Sequence, residues 1–186
     1  MHAQILASAD LAPSLQADWP DEPACCDWAT RLAAFVRPSL IAGGSLDIHL
    51  LGTLGAGKTT FTRHLLRALG VQGRIKSPSY AVVESHPSPE FDIHHFDFYR
   101  FNDPHEWEDA GFRDVFGAAG LRLVEWPEKA QGLLPTPALR LHIEPVDEHR
   151  RTITLQSLTP EGAALLADMQ RSAPATAPVT AQEHQT

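Results

Sequence analysis

The stretch SLDIHLLGTLGAGKTTFTRHLLRALG, Ser45 to Gly70, decides the fold. Its opening, SLDIHLLG, is a short apolar run that reads as a buried strand. From Lys58 onward, Phe61, Leu65, Leu66 and Leu69 recur at helical spacing, and Gly70 supplies a stop. Between the two, Gly52 to Thr59 fits G-x-x-x-x-G-K-[ST] at every fixed position. Glycines let backbone wrap close to phosphates, so that successive N–H groups point at anionic oxygens. The helix that follows turns its positive end toward the same anions. Leu54, Gly55, Ala56, Gly57, Lys58, Thr59 and Thr60 are therefore the expected nucleotide contacts. Lys58 is expected to reach the β- and γ-phosphates, and the Thr59 hydroxyl to ligate Mg2+.

Upstream, DEPACCDWATRLAAFV (Asp21 to Val36) has Trp28, Leu32 and Phe35 or Val36 at helical spacing, with acids first to suit the helix dipole. Downstream, SYAVVESH and FDIHHFDFYR flank the turn-rich PSPE and predict a hairpin. DPHEWEDAGF suits a helix start, and LRLVEWP is a short strand ended by Pro127. ALRLHIEP and RRTITLQS predict a last strand pair, followed by a helix over 160–171. No internal repeat is visible. The expected architecture is α/β: a P-loop NTPase-like mixed sheet, partly antiparallel and flanked by helices. Residues 1–20 are expected to be an irregular arm, 21–171 one P-loop domain, and 172–186 a disordered tail with little apolar content.

Two carboxylates are candidates to complete a metal site. In HHFDFYR, Asp97 sits late in a strand and shares a face with His95 and Tyr99, while Phe96 and Phe98 point the other way. In LRLVEWP, Glu125 ends an apolar strand. An acid at a strand end beside a phosphate loop is where a magnesium ligand or water-orienting group sits. Both remain open. His94 and His95 are adjacent on a strand and face opposite sides, so they do not form a transition-metal pair. Trp107 and Trp126 read as core or interface aromatics, with a place near the nucleotide still open for Trp126.

The 186 residues suit one domain with a sizeable core, and 43% apolar with 20% charged residues fits a soluble globular chain. No apolar run is long enough for a membrane helix, and no secretory signal pattern opens the chain. Cys25 and Cys26 are adjacent and suit reduced thiols, so a cytoplasmic location is expected. A net charge of −8 argues against extensive unaided binding of nucleic acid. Among fifteen basic residues only Lys58, Lys76 and Lys129 are lysines, a hint that a compact point charge matters where lysine is kept.

Taken together, GTLGAGKTTFTRHLLRALG, KSPSY, HFDFYR and LVEWPEKAQGLLP, in this order, resemble the TsaE (YjeE) family. They span most of the chain, from about Asp21 to Ser157. The resemblance implies an ATPase of the bacterial machinery that makes threonylcarbamoyladenosine in tRNA. It implies ATP and Mg2+ as cofactors and TsaB and TsaD as partners, with tRNA reached only through them. It also implies that hydrolysis resets the TsaB–TsaD pair between turnovers. Lys58 and Thr59 match its nucleotide and magnesium positions, Asp97 its Walker-B-like acid, and Glu125 the acid linked to magnesium and hydrolysis. Lys76, Ser77, Pro78 and Ser79 match a nucleotide-sensing loop, so Ser79 joins Trp126 as a candidate nucleotide contact. Asp21 and Glu22 align loosely with a segment near the nucleotide. Two positions depart from the family pattern: Thr53 stands where aspartate is usual, and Ser79 where threonine is.

A small P-loop kinase is the competing enzyme class, but no compact arginine-rich lid segment stands out. The guanine-selective N-K-x-D motif cannot exist, because the only asparagine is Asn102, followed by Asp103. A nucleotide-dependent binding module without turnover is the non-enzymatic alternative.

Overall fold

The computed structural model describes residues 12–103, 106–107, 110–130 and 132–172. One seven-stranded sheet organises them, in the order β1-β7-β6-β2-β5-β4-β3. The strands are β1 (Ser14–Trp19), β2 (Ser45–Leu51), β3 (Val83–His86), β4 (Ile93–Asp97), β5 (Gly120–Glu125), β6 (Leu139–Pro145) and β7 (Arg151–Ser157). Strands β6, β2, β5 and β4 run parallel and form the centre. Antiparallel strands widen both ends: β3 beside β4, then β7 and β1 beyond β6. This is the mixed α/β sheet that the sequence predicts.

The helices are α1 (Glu22–Ile41), α2 (Lys58–Ala68), a short α3 (Phe112–Gly117) and α4 (Pro160–Arg171). Asp21 caps α1 by accepting from the Ala24 N–H at 2.9 Å, and Thr159 caps α4 in the same way. Helix α1 runs past Val36, through Pro38, to Ile41, keeping Leu40 buried.

Alternation along the strands sorts the two faces. Leu46, Ile48, Leu50, Leu121, Leu123, Leu139 and Leu141 pack with α1, α2 and α4 in the main core. Phe96, Phe98 and Val124 turn to the other face, where Phe101, Trp107 and Phe112 complete an aromatic cluster. Trp107 is thus a core aromatic.

The N-terminal arm needs a correction. Ser14–Trp19 is a strand, paired with β7 from Ser14↔Gln156 to Trp19↔Arg151. Trp19 anchors it, stacked on Phe61 with centroids 5.6 Å apart and edge-on to Trp28 at 5.8 Å. Residues 1–11, the tail from 173 on, and residues 104–105 and 108–109 of the helix start expected at DPHEWEDAGF lie outside the described residues. Among the described residues, no helix is long and apolar enough to cross a membrane.

Candidate functional site

Strands β2 and β5 are neighbours, and the chain leaves β2 through α2 toward one side while β6 lies on the other. A crevice opens at the carboxyl ends of parallel strands where the order reverses in this way. The glycine loop fills that position. At Gly52, φ is +142° and a Cβ would lie 2.4 Å from the Ile143 carbonyl oxygen, so only glycine lets the loop leave β2 beside β6. Gly57, at φ +110°, starts α2 with no side chain capping its N-terminus. The free N–H groups of that first turn face a cavity of about 430 Å³.

Every site residue expected from the sequence lines this cavity: Leu54, Gly55, Ala56, Gly57, Lys58, Thr59, Thr60, Ser79, Asp97, Glu125 and Trp126. Lys58 is buried, and its Nζ donates to the Gly52 and Thr53 carbonyls at 2.6 and 3.0 Å. The same ammonium sits 3.8 Å from the centre of the Trp126 ring. Burial pushes the Lys58 pKa below its usual range, against the opposing pull of Glu125, Glu128 and Asp97. Trp126 adopts φ +57°, a left-handed conformation that turns the chain sharply after β5.

The two carboxylates have different surroundings. Glu125 is buried, and its Oε2 accepts from the Thr59 hydroxyl at 3.0 Å. Its Oε1 lies 2.8 Å from His95 Nε2. Asp97 is also buried, but its oxygens accept from the Ser77 and Ser79 hydroxyls and, at 2.9 Å, from the Tyr99 N–H. Asp97 therefore ties down the Ser77–Ser79 loop, and Glu125 meets Thr59. Val82, at φ +65°, closes that loop with its N–H on the Pro78 carbonyl at 2.7 Å. Lys76 is exposed and outside the cavity lining.

Residues 19–153 match the family model described as threonylcarbamoyl adenosine biosynthesis protein TsaE. The chain belongs to the TsaE family. The tRNA threonylcarbamoyladenosine biosynthesis protein TsaE of Haemophilus influenzae is 46% identical over 131 residues, covering 70% of this chain and 82% of that protein. The Bacillus subtilis protein of the same name is 31% identical over 143 residues, covering 77% and 85%. A crystal structure of Bacillus subtilis YdiB superposes with a TM-score of 0.71 over 87% of this chain and 97% of that one, at 24% identity. Membership of the TsaE family places the chain in threonylcarbamoyladenosine biosynthesis.

The two departures from the TsaE pattern leave the site's framework intact. Thr53 is exposed, and the carbonyl of its backbone still accepts from Lys58. Ser79 still presents a hydroxyl, 2.8 Å from Asp97 Oδ2. Three parts of the site were missed in the sequence. Tyr80, Tyr99 and Arg100 line the mouth of the main cavity, with the Arg100 guanidinium 4.2 Å above the Tyr80 ring. His95 backs Glu125. A second cavity of about 210 Å³ adjoins the loop at Ala56, Gly57 and Thr60, between Asp21–Glu22 and Glu148–Arg151. There Arg151 Nε donates to the Ala56 carbonyl at 2.9 Å. Two signals touched these groups: the alternation in HFDFYR puts His95 on the face of Asp97, and Asp21 and Glu22, loosely aligned with a segment near the nucleotide, line the second cavity.

Proposed function

We propose that this chain is a P-loop ATPase that binds and hydrolyses Mg-ATP to drive or reset the TsaB–TsaD pair in tRNA threonylcarbamoyladenosine formation. One observation carries the reading: Thr59 Oγ1 and Glu125 Oε2 are 3.0 Å apart, beside Lys58 and the uncapped start of α2. A hydroxyl and a carboxylate side by side at a helix start form a hard oxygen donor set of the kind Mg2+ takes. Among the described residues no group of three or more His, Cys, Asp or Glu side chains is gathered to hold a metal. Magnesium carried by phosphates needs only one or two protein oxygens, so the residues present fit it. When bound, the metal supplies charge neutralisation on the β- and γ-phosphate oxygens.

The chain's own groups divide the remaining work. Backbone N–H groups from Gly55 to Thr60 hold the phosphates. Lys58 offers a third N–H, beyond the two already given to loop carbonyls, to charge that develops as the γ-phosphoryl leaves. Glu125 would hold the metal and orient the attacking water, while Asp97, bonded to the Ser77–Ser79 loop, would couple that loop to the phosphates in the cavity. The second cavity adjoins the glycine loop at Ala56, Gly57 and Thr60 and suits the base and ribose. Slow turnover by the chain alone is expected, because Tyr80 and Leu54 at the cavity mouth are exposed and leave the site open to water.

The test is ATP hydrolysis by the full chain, alone and with TsaB and TsaD from the same organism. A low rate that rises sharply with the pair supports the reading. An unchanged rate favours a kinase with another acceptor or a binding module without turnover.

A further inference from the structure

The buried imidazole of His95 is the feature that the proposed reaction does not by itself require. His95 lies on β4, one pleat before Asp97, and faces the same side as Glu125 across the β4–β5 ladder. The ring is fully buried, with Nε2 2.8 Å from Glu125 Oε1. A carboxylate oxygen can only accept, so Nε2 carries the hydrogen and donates it. The other nitrogen, Nδ1, is buried without a hydrogen-bond partner among the described residues. His86 of β3 stacks against the ring at 6.4 Å between centroids and makes no hydrogen bond to it. Among the described residues the contact to Glu125 is therefore the ring's single hydrogen bond. Leucine in its place would leave no unpaired nitrogen, so packing alone does not explain an imidazole here.

We infer that His95 is a positioning residue: by donating to Oε1 of Glu125, it keeps Oε2 turned toward Thr59 and the metal position. The inference rests on the reading of Glu125 as a magnesium ligand. Two donors, one on each oxygen, stop the carboxylate from rotating. Were the Thr59 oxygen to share a metal with Oε2, the donor on Oε1 would be the one that holds the carboxylate from its far side. Partners of this kind behind a ligating carboxylate are worth about 10- to 100-fold in metal affinity or activity.

Three substitutions separate this role from filling space. Gln places an amide nitrogen near the position of Nε2. Asn places one nearer Nδ1, and Leu offers none. For each full-length variant, ADP affinity is measured calorimetrically without and with Mg2+, and the metal-free dissociation constant divided by the one in Mg2+ is compared with wild type. His95→Leu and His95→Asn are expected to lower that ratio on the order of tenfold, with metal-free affinity unchanged, while His95→Gln stays within about threefold of wild type. If His95→Leu fails to fold, the contrast between Gln and Asn decides. Equal ratios for Gln and Asn, or a wild-type ratio in His95→Leu, overturn the inference and leave the role of Glu125 standing. A wild-type ratio of one overturns both.

Discussion

Replacing Lys58 by methionine separates stability from function in this site. Lys58 is 4% exposed, and the acceptors of its ammonium are two loop carbonyls and the face of Trp126, with no carboxylate among the described residues bonded to it. The carbonyl of Thr53 belongs to an exposed residue and that of Gly52 to a half-buried one, so water can replace the lost donor. Burial already disfavours the charged form, which is why the pKa of Lys58 is lowered. Removing a buried charge in favour of an apolar chain of similar length is often neutral, so Lys58→Met is expected to change unfolding free energy by no more than about 1 kcal/mol. Nucleotide binding behaves differently. On the proposed reading, the ammonium's remaining N–H makes a charge-assisted bond to phosphate of about 1.5–3 kcal/mol, so affinity is expected to fall on the order of 100-fold. Thermal unfolding reads both effects. At a ligand concentration one hundred times its dissociation constant, wild type gains about 2.7 kcal/mol, a rise in Tm of roughly 5–11 °C for a chain of this size. The variant at the same concentration gains about 0.4 kcal/mol, or roughly 1 °C. A ligand-free variant that unfolds several kcal/mol earlier, or one that keeps the full ligand shift, would refute this reasoning.

Thr59→Val keeps shape but removes the donor to Glu125; Mg2+ is expected to lose at least about tenfold of its effect on nucleotide affinity in calorimetric titration. Trp19→Ala removes the ring stacked on Phe61, and urea unfolding should show a loss of about 3–5 kcal/mol; under 1 kcal/mol would mean that β1 adds little to the core. Burial, with Arg140 nearby, holds His49 down at about 4, against 6.5 for the free side chain. Between those values the unfolded chain binds a proton that the native one refuses, so stability falls on acidification from pH 6.5 toward 4, by at most about 1.4 kcal/mol per unit. His49→Gln should flatten that slope in urea titrations run across the window, and an unchanged slope would assign the acid sensitivity elsewhere.

The sequence made the glycine loop legible because all its groups are contiguous and each fixed residue answers a local demand. Asp97 and Glu125 were legible for a related reason: both end apolar strands, and strand ends point at one crevice. Their division of labour was not. It depends on which hydroxyl each meets, Thr59 for Glu125 and Ser77 with Ser79 for Asp97, across gaps that no periodicity spans. Strand β1 escaped because SLQADW is an edge strand with exposed residues on alternate positions, and Trp19 is its one fully buried residue. Pairing with β7, about 130 residues away, creates the strand, and local sequence carries little trace of it. Arg151 reaching Ala56, and the cavity beside it, were hidden by the same distance.

The central claim is that Glu125 and Thr59 together make the loop a hydrolytic Mg-ATP site. Its most direct test is phosphate release from saturating Mg-ATP by wild type and Glu125→Gln, each with the partner proteins present. The account predicts a fall of about 100-fold or more in the variant, with nucleotide affinity within about tenfold of wild type. A Glu125→Gln chain that releases phosphate at the wild-type rate would contradict it.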